Sequence, residues 1–192
     1  MKHFRCIHES VDITRILDEL ARQPEAWNWQ TGRQAKNRVQ AESLAIPIRG
    51  IRKSKIRGRE RRDVHETRWT TTSNYFPAVV GFLEDTAREQ NGELSRARIV
   101  NLPGGARVYP HVDRGEYYAP RDRYHLVLDA PEDTTLEAGG ECIHPKAGEL
   151  WWFDNKQSHA AENPSSKDRI HLIFDLLPRE AASRQATLMA SG

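Results

Sequence analysis

The chain has 192 residues, with 29 Lys or Arg, 27 Asp or Glu and a formal net charge of +2. This length suits one domain, and a hydrophobic share of 38% is enough for a packed core, so the composition argues against a disordered chain. No apolar run approaches the roughly 20 residues that span a bilayer, and two cysteines do not make a disulfide framework. We therefore expect residues 1–192 to form a single domain of a cytoplasmic protein without a membrane partner.

The positive charge is concentrated in one segment. Residues 49–62 contain eight Lys or Arg and one acidic residue, Glu60, so that the rest of the chain carries a net charge of −5. This distribution excludes a uniformly basic nucleic-acid coat. The segment also lacks the interleaved aromatic residues that stack on bases, so nucleic-acid binding is the less favoured use of this charge.

Two amphipathic helices are predicted in the first half of the chain. An i, i+3, i+4, i+7 apolar stripe predicts a helix over residues 10–22, with Ser10 or Asp12 as its N-cap. A second helix is predicted over residues 77–90, begun by a proline and capped by the polar residues just before it. Between the two, alternating apolar residues at 44–48 indicate a short strand.

The second half of the chain is predicted to be mainly β-structure. Short apolar or alternating runs recur there, separated by turn segments such as LPGG, EAGG and NPSS. The expected fold is therefore mainly β with N-terminal helices, an α+β sandwich or barrel. The runs are residues 96–102, 107–111, 123–129, 149–153 and 169–177.

Three residues are candidate metal ligands. His111 and Asp113 are two apart, a spacing that turns both side chains to the same side of a strand, and His159 follows a later strand and turn. Two histidines and one carboxylate form the ligand set of non-haem Fe(II) oxygenases, which leaves open positions for a cosubstrate and O₂. The alternatives are that residues 111–113 form a surface turn and that His159 caps a turn.

Two predicted strands carry arginine and histidine on one face and apolar residues on the other. Arg169 and His171 alternate with core residues in the last strand, and Arg123 and His125 do the same in an earlier strand. A core strand normally avoids such side chains. Their placement suits an anionic ligand, because a guanidinium binds a carboxylate through two parallel hydrogen bonds.

Taken together, these elements resemble the aspartyl/asparaginyl β-hydroxylase family, a branch of the 2-oxoglutarate- and Fe(II)-dependent dioxygenases. The likeness covers about residues 97–178, with the elements in the order and spacing of the family. They are His111-x-Asp113, Arg123-Tyr124-His125-Leu126, residues 148–155, His159, Asn163 and residues 169–175.

The resemblance implies a double-stranded β-helix, the cupin-like jelly roll, over residues 96–178. Residues 1–95 would then supply helical, substrate-side elements, and residues 179–192 a tail. The 12-residue step from His111 to Arg123 resembles the bacterial branch of the family, which includes free-proline hydroxylases.

The resemblance also implies roles for individual residues. Arg169 resembles the arginine that binds the distal carboxylate of 2-oxoglutarate, and Arg123 and His125 resemble a second pair of cosubstrate contacts. The animal members that modify EGF-like domains lack the iron carboxylate, whereas Asp113 is present here. The implied Fe(II) ligands are His111, Asp113 and His159.

The expected activity is hydroxylation of an unactivated C–H bond with O₂ and 2-oxoglutarate, releasing succinate and CO₂. The substrate is a small molecule or a peptide: a free amino acid, a peptide or protein side chain, or a biosynthetic intermediate. The candidate substrate contacts, which could equally be ordinary packing residues, are Arg107, Tyr117, Tyr118 and Trp152.

Three alternatives stay open at this point. One is a cupin-type metal-binding protein or enzyme that does not use 2-oxoglutarate and needs no inward-facing arginines. In another, the arginines form buried ion pairs, with Asp129 and Asp175 as candidate partners. The third assigns residues 49–62 to nucleic acid, although a lid or guide for an anionic substrate is the preferred interpretation of that segment.

Overall fold

The computed structural model describes residues 1–29, 42–51 and 65–181. Within these ranges lie two complete α-helices, α1 (Thr14–Arg22) and α2 (Pro77–Glu89), and the short 3₁₀ helices Pro24–Asn28 and Thr71–Tyr75. The strands are β1 (Phe4–His8), β2 (Leu44–Ile51), β3 (Thr67–Trp69), β4 (Gly92–Leu102), β5 (Arg107–His111), β6 (Asp122–Asp129), β7 (Thr135–Ala138), β8 (Glu141–Ile143), β9 (Leu150–Phe153), β10 (His159–Glu162) and β11 (Arg169–Pro178).

The strands form two antiparallel sheets of a double-stranded β-helix. The larger sheet has the order β1-β9-β6-β11-β4-β2-β3, and the smaller sheet has the order β5-β10-β7-β8. The predicted fold class, mainly β with N-terminal helices and a jelly-roll core, is confirmed.

The larger sheet separates two environments. Along β11, Leu172 and Phe174 are fully buried in a core that the sheet shares with both helices, whereas Arg169 and His171 lie on the opposite face. The strand alternates because successive side chains point to opposite faces of a sheet. The predicted division of this strand into an apolar and a polar face is therefore confirmed.

A second, smaller core joins the two sheets. Phe4 and Phe153 of the larger sheet stack with a centroid separation of 6.1 Å, and they belong to one buried cluster with Leu136 and Ile143 of the smaller sheet. This cluster closes one part of the space between the sheets. The polar residues of the inner face occupy another part of that space.

The two helices are joined by a buried carboxylate. Glu19 of α1 accepts hydrogen bonds from the backbone N–H groups of Ala78 and Val79, at 2.6 and 3.4 Å. It thereby satisfies donors that the first turn of α2 leaves without intrahelical partners. The prediction of a cap from the residues just before α2 is wrong, since Glu19 lies far away in sequence.

At the start of α1, the side chain of Asp12 accepts a hydrogen bond from the backbone N–H of Thr14 at 3.0 Å.

Five strands were not predicted from the sequence: β1, β3, β7, β8 and β10. β1 has no clean alternation, and β7 and β8 are only four and three residues long. β7 and β8 form a hairpin whose two-residue turn, Gly139-Gly140, has φ values of +58° and +83°. Both residues of such a turn need a positive φ, which glycine adopts without strain.

Parts of the sequence predictions fall on residues 30–41, 52–64 and 182–192, which lie outside the described residues. They include most of the basic segment 49–62 and most of the tail. In the ranges that are described, neither α-helix has the length and apolar composition needed to cross a membrane.

The buried carboxylate of Glu19 provides a stability test. Glu19→Ala should lower the free energy of unfolding by about 1 kcal/mol, the usual cost of losing a helix cap. Asp18→Ala, one residue away but exposed, is the matched control and should have little effect. Urea denaturation followed by circular dichroism measures both, and equal stabilities of the two variants would contradict the capping role.

Candidate metal centre and adjoining cavity

Two histidines face each other across the smaller sheet. The antiparallel pairing of β5 with β10 places His111 opposite His159, and the ring centroids are 4.1 Å apart. Nδ1 of His111 lies 2.8 Å from the carbonyl oxygen of Tyr109, and Nδ1 of His159 lies 3.0 Å from that of Gln157. A carbonyl only accepts hydrogen bonds, so both Nδ1 atoms carry protons and both Nε2 lone pairs are available to a metal.

Asp113 completes a three-residue group. Its Oδ1 lies 3.9 Å from Nε2 of His111, and its Oδ2 lies 3.9 Å from Nε2 of His159. These separations are too long for hydrogen bonds, and the potential ligand atoms of the three residues all lie within 4.8 Å of one another. Nε2 of His111 is buried without a hydrogen-bond partner. These donors fit a divalent metal of the iron type.

His159 is neutral at physiological pH, as a metal-ligating histidine must be. Burial lowers the pKa of His159 to about 4, against a weaker opposing effect of its hydrogen bond to Gln157. The neighbouring His111 and Arg123 lower the pKa of His159 further.

The Asp113 carboxylate is held in place by two side-chain donors. Oδ2 accepts hydrogen bonds from Nη1 of Arg123 and, at 3.0 Å, from Nδ2 of Asn155. The backbone N–H of Asp113 also donates to the carbonyl of Asn155 at 3.2 Å. These contacts fix the carboxylate before any metal binds, which is how supporting hydrogen bonds tune metal sites.

Arg123 also forms a buried ion pair. Its Nε and Nη2 donate to the two carboxylate oxygens of Asp175, at 2.8 and 3.1 Å, and the Tyr117 hydroxyl donates to the same carboxylate at 2.9 Å. Burial opposes the charge of Arg123, but Asp175 and Asp113 outweigh it and raise the pKa of the arginine. One of the alternatives from the sequence, pairing with Asp175, is thus realised for Arg123, whereas Asp129 is exposed.

Arg169 has a different environment. It is buried, its Nη2 lies 3.1 Å from Nδ1 of His171, and its Nε has no hydrogen-bond partner. Within residues 1–29, 42–51 and 65–181, no carboxylate pairs with Arg169. Burial lowers its pKa to about 10, so the guanidinium is still charged at neutral pH. A buried cation without a counter-ion is costly, and an anionic ligand would remove that cost.

The metal centre and Arg169 share one cavity. Neutral His125, whose pKa is lowered well below its usual value by burial and by nearby arginines, lies in the same wall. Apolar residues such as Leu136 and Phe153 form much of the remainder. The structure thus brings together all six residues predicted as metal or cosubstrate contacts. Those that line the cavity directly are His111, Arg123, His125, His159 and Arg169.

The four predicted substrate contacts are dispersed. Arg107 is exposed and lies 3.8 Å from Glu162 on the neighbouring strand. Trp152 packs against the helix-side core, on the face of β9 opposite Phe153. Tyr117 is buried and is occupied by its hydrogen bond to Asp175. Tyr118 lines a cavity that adjoins the candidate metal centre.

Sequence reasoning missed three arginines that face the same interior. Arg96 and Arg98 alternate along β4 with the buried Ala97, and Arg49 lies on the neighbouring β2. The signal was present, since the same alternation of arginine with apolar residues identified Arg123 and Arg169. It was not applied to β4, which was interpreted only as a strand.

Comparisons with known proteins agree with this geometry. The sequence model of the family described as Aspartyl/Asparaginyl beta-hydroxylase matches residues 12–178. L-proline cis-3-hydroxylase 1 from a Streptomyces species is 38% identical over 93 residues, which are 45% of this chain and 31% of that protein. The match therefore spans less than a third of the length of this curated relative.

Solved structures extend the likeness to nearly the whole fold. A 2OG-Fe(II) oxygenase family oxidoreductase from Burkholderia pseudomallei has a TM-score of 0.56 and 13% identity, covering 92% of this chain and 94% of its own. A prolyl-4-hydroxylase from Pseudomonas putida has a TM-score of 0.52 and 16% identity, covering 91% and 92%. At these identities the likeness concerns the fold.

Removal of the candidate carboxylate ligand is the direct test of the candidate metal centre. Asp113→Asn keeps the side-chain shape but loses the negative charge, and it should weaken Mn(II) binding by more than about 100-fold, since even lost supporting contacts cost about 10- to 100-fold. Asp133→Asn, at an exposed position, is the matched control. Calorimetric titration of Mn(II) compares them, and unchanged affinity in Asp113→Asn would exclude this ligand.

The supporting contact can be tested separately. Asn155→Ala removes the side-chain hydrogen bond to Asp113 but keeps the backbone carbonyl that accepts from it. We expect about tenfold weaker Mn(II) binding, with a smaller loss than in Asp113→Asn. A loss as large as that of Asp113→Asn would indicate that Asn155 acts as a ligand itself.

Proposed function

The chain belongs to the aspartyl/asparaginyl β-hydroxylase family, and from this premise we propose that it is a 2-oxoglutarate- and Fe(II)-dependent dioxygenase. The proposed reaction hydroxylates an unactivated C–H bond and releases succinate and CO₂. The observation that carries the proposal is Arg169, a buried cation without a carboxylate partner among the described residues, in the wall of the cavity that contains two histidines of the metal centre.

The residues divide into metal ligands and cosubstrate contacts. Arg169 is proposed to bind the distal carboxylate of 2-oxoglutarate through its free guanidinium donors. His125 and Arg123 are proposed as further contacts, from the wall they share with Arg169. Residues that would hold Fe(II) are His111, Asp113 and His159.

The protein contributes placement and exclusion of water. Bound Fe(II) supplies the activation of O₂, the step that amino-acid side chains cannot perform. Arg169 orients the cosubstrate by its charge, and the apolar walls at Leu136 and Phe153 keep the cavity dry. Asn155 and Arg123 hold Asp113 in one orientation, so that the ligand set is preorganised.

The proposed substrates are not limited to the substrate of any one relative. The curated relative is an L-proline cis-3-hydroxylase, which makes a free amino acid the first substrate to examine. A peptide or protein side chain and a biosynthetic intermediate belong to the same proposal. Nucleic acid is not part of it, since the basic segment 49–62 lacks the interleaved aromatic residues that stack on bases.

The main alternative is a cupin-type metal protein that does not use 2-oxoglutarate. Such a protein would keep the three metal ligands but would not need a buried arginine beside them. Arg169 and its unpaired Nε therefore favour the dioxygenase.

The arginine provides the sharpest test of the cosubstrate site. Arg169→Gln should weaken 2-oxoglutarate binding by about 10- to 100-fold, because hydrogen bonds to charged groups contribute about 1.5–3 kcal/mol. The control is Arg88→Gln, an exposed arginine on α2. Calorimetry with Mn(II)-loaded protein measures both, and equal affinities would contradict the assigned role.

Turnover tests the reaction itself. Wild-type protein with Fe(II), ascorbate and 2-oxoglutarate should release succinate, and mass spectrometry should detect the gain of one oxygen in a free amino acid, a short peptide or a component of cell extract. His159→Ala should release none. Failure of the wild type to bind 2-oxoglutarate at millimolar concentration would favour the cupin-type alternative.

A further inference from the structure

A second cavity adjoins the metal cavity on the inner face of the larger sheet. It is lined by Arg49 of β2, Arg96 and Arg98 of β4, and Tyr118 from the segment between β5 and β6. None of these arginines belongs to the proposed metal or 2-oxoglutarate sites. Arg98, Arg123 and Ile173 line both cavities, so the two spaces share a wall.

The arginines of this cavity have no carboxylate partners among the described residues. Nε of Arg96 is buried without a hydrogen bond, and its guanidinium lies 3.5 Å from the ring centroid of Tyr117. Arg49 donates to the side chain and carbonyl of Thr67 at 3.2 and 3.1 Å, and both of these acceptors are neutral. Asp175 is the one carboxylate among the described residues of the lining, and it is already bound by Arg123 and Tyr117.

The packing holds these cations in place as a preformed site. Arg49 lies over the ring of Trp69 at 5.0 Å, as Arg96 lies over Tyr117. Burial lowers the pKa of Arg49, an effect that Glu84 partly offsets. Stacking on aromatic rings fixes the guanidinium planes, and the donors of Arg49 that Thr67 does not use, together with those of Arg96, can bind a ligand.

An oxyanion is the ligand that satisfies this arrangement. Guanidinium edges bind carboxylate or phosphate oxygens through paired hydrogen bonds, and partly buried cations gain more from such a ligand than exposed ones. We propose that the cavity lined by Arg49, Arg96, Arg98 and Tyr118 binds a carboxylate or phosphate of the substrate. The substrate of the proposed dioxygenase is then anionic, and its reactive C–H extends past Arg98 towards the metal centre. This inference rests on the proposed function.

Anion binding can be measured without turnover. N-acetylglycine, its uncharged amide and inorganic phosphate are titrated separately into Mn(II)-loaded protein, with and without saturating 2-oxoglutarate to block the Arg169 site. We expect saturable binding of N-acetylglycine or phosphate and none of the amide. Binding of N-acetylglycine alone identifies a carboxylate substrate, and binding of phosphate alone a phosphorylated one.

Substitutions locate the binding. Arg96→Gln and Arg98→Gln should each weaken the anion at least tenfold, and Arg88→Gln, exposed on α2, should leave it unchanged within twofold. Melting curves accompany each titration because Arg96 packs on Tyr117. If Arg96→Gln does not fold, Arg98→Gln and Arg96→Lys test the anion site instead. Arg96→Lys retains the positive charge and is expected to keep part of the anion affinity.

The outcomes separate this inference from the proposed function. If the wild-type protein binds 2-oxoglutarate but neither N-acetylglycine nor phosphate, the proposed anion site is wrong and the proposed function is unaffected. Equal anion affinity in Arg98→Gln and wild type would have the same meaning. Protein that binds N-acetylglycine or phosphate but not 2-oxoglutarate overturns the dioxygenase and leaves the anion cavity standing.

Discussion

A surplus of positive charge on the inner face of the larger sheet is the constraint on which the rest of the structure depends. The antiparallel pairing of β11 with β6 sets Asp175 opposite Arg123, and the two side chains neutralise each other's charge. Arg169 has no such partner in the described chain, and burying a cation without a counter-ion is expensive. The apolar outer face, where Leu126 and Phe174 are completely buried beneath the helices, offsets that cost and keeps the cation in position.

The metal centre depends on the packing of one sheet against the other. Both histidines belong to the smaller sheet, whereas Asp113 is tied to Arg123 of the larger sheet. The separation of the carboxylate from the histidines is therefore set by the core that joins the sheets, around Phe153 and Leu136. A local motif supplies the ligands, but long-range packing supplies their geometry.

This division explains what the sequence could predict. The family resemblance in the order of the motifs implied the jelly roll. With the alternation in β6 and β11, it predicted three candidate metal ligands and Arg169, which the structure brings close together. The cap that Glu19 provides to α2 was not predictable, because it joins distant residues through tertiary packing alone. Arg96 and Arg98 were accessible to the same reasoning that found Arg169, and they were missed because no motif drew attention to β4. The position of Trp152 depends on which face of β9 meets the helices, which two adjacent tryptophans leave undecided.

The two groups of unpaired arginines differ in their contact with solvent, and that difference suits two kinds of ligand. Arg169 is 3% exposed, so its attraction for a carboxylate acts at low effective dielectric and is little screened by salt. Arg96 and Arg98 are only partly buried, and water and ions reach them more easily. A cosubstrate common to every turnover fits the enclosed site, whereas a substrate that must be recognised from solution fits the accessible one. Ile173 and Arg98, in the shared wall, then set how far the substrate lies from the cosubstrate.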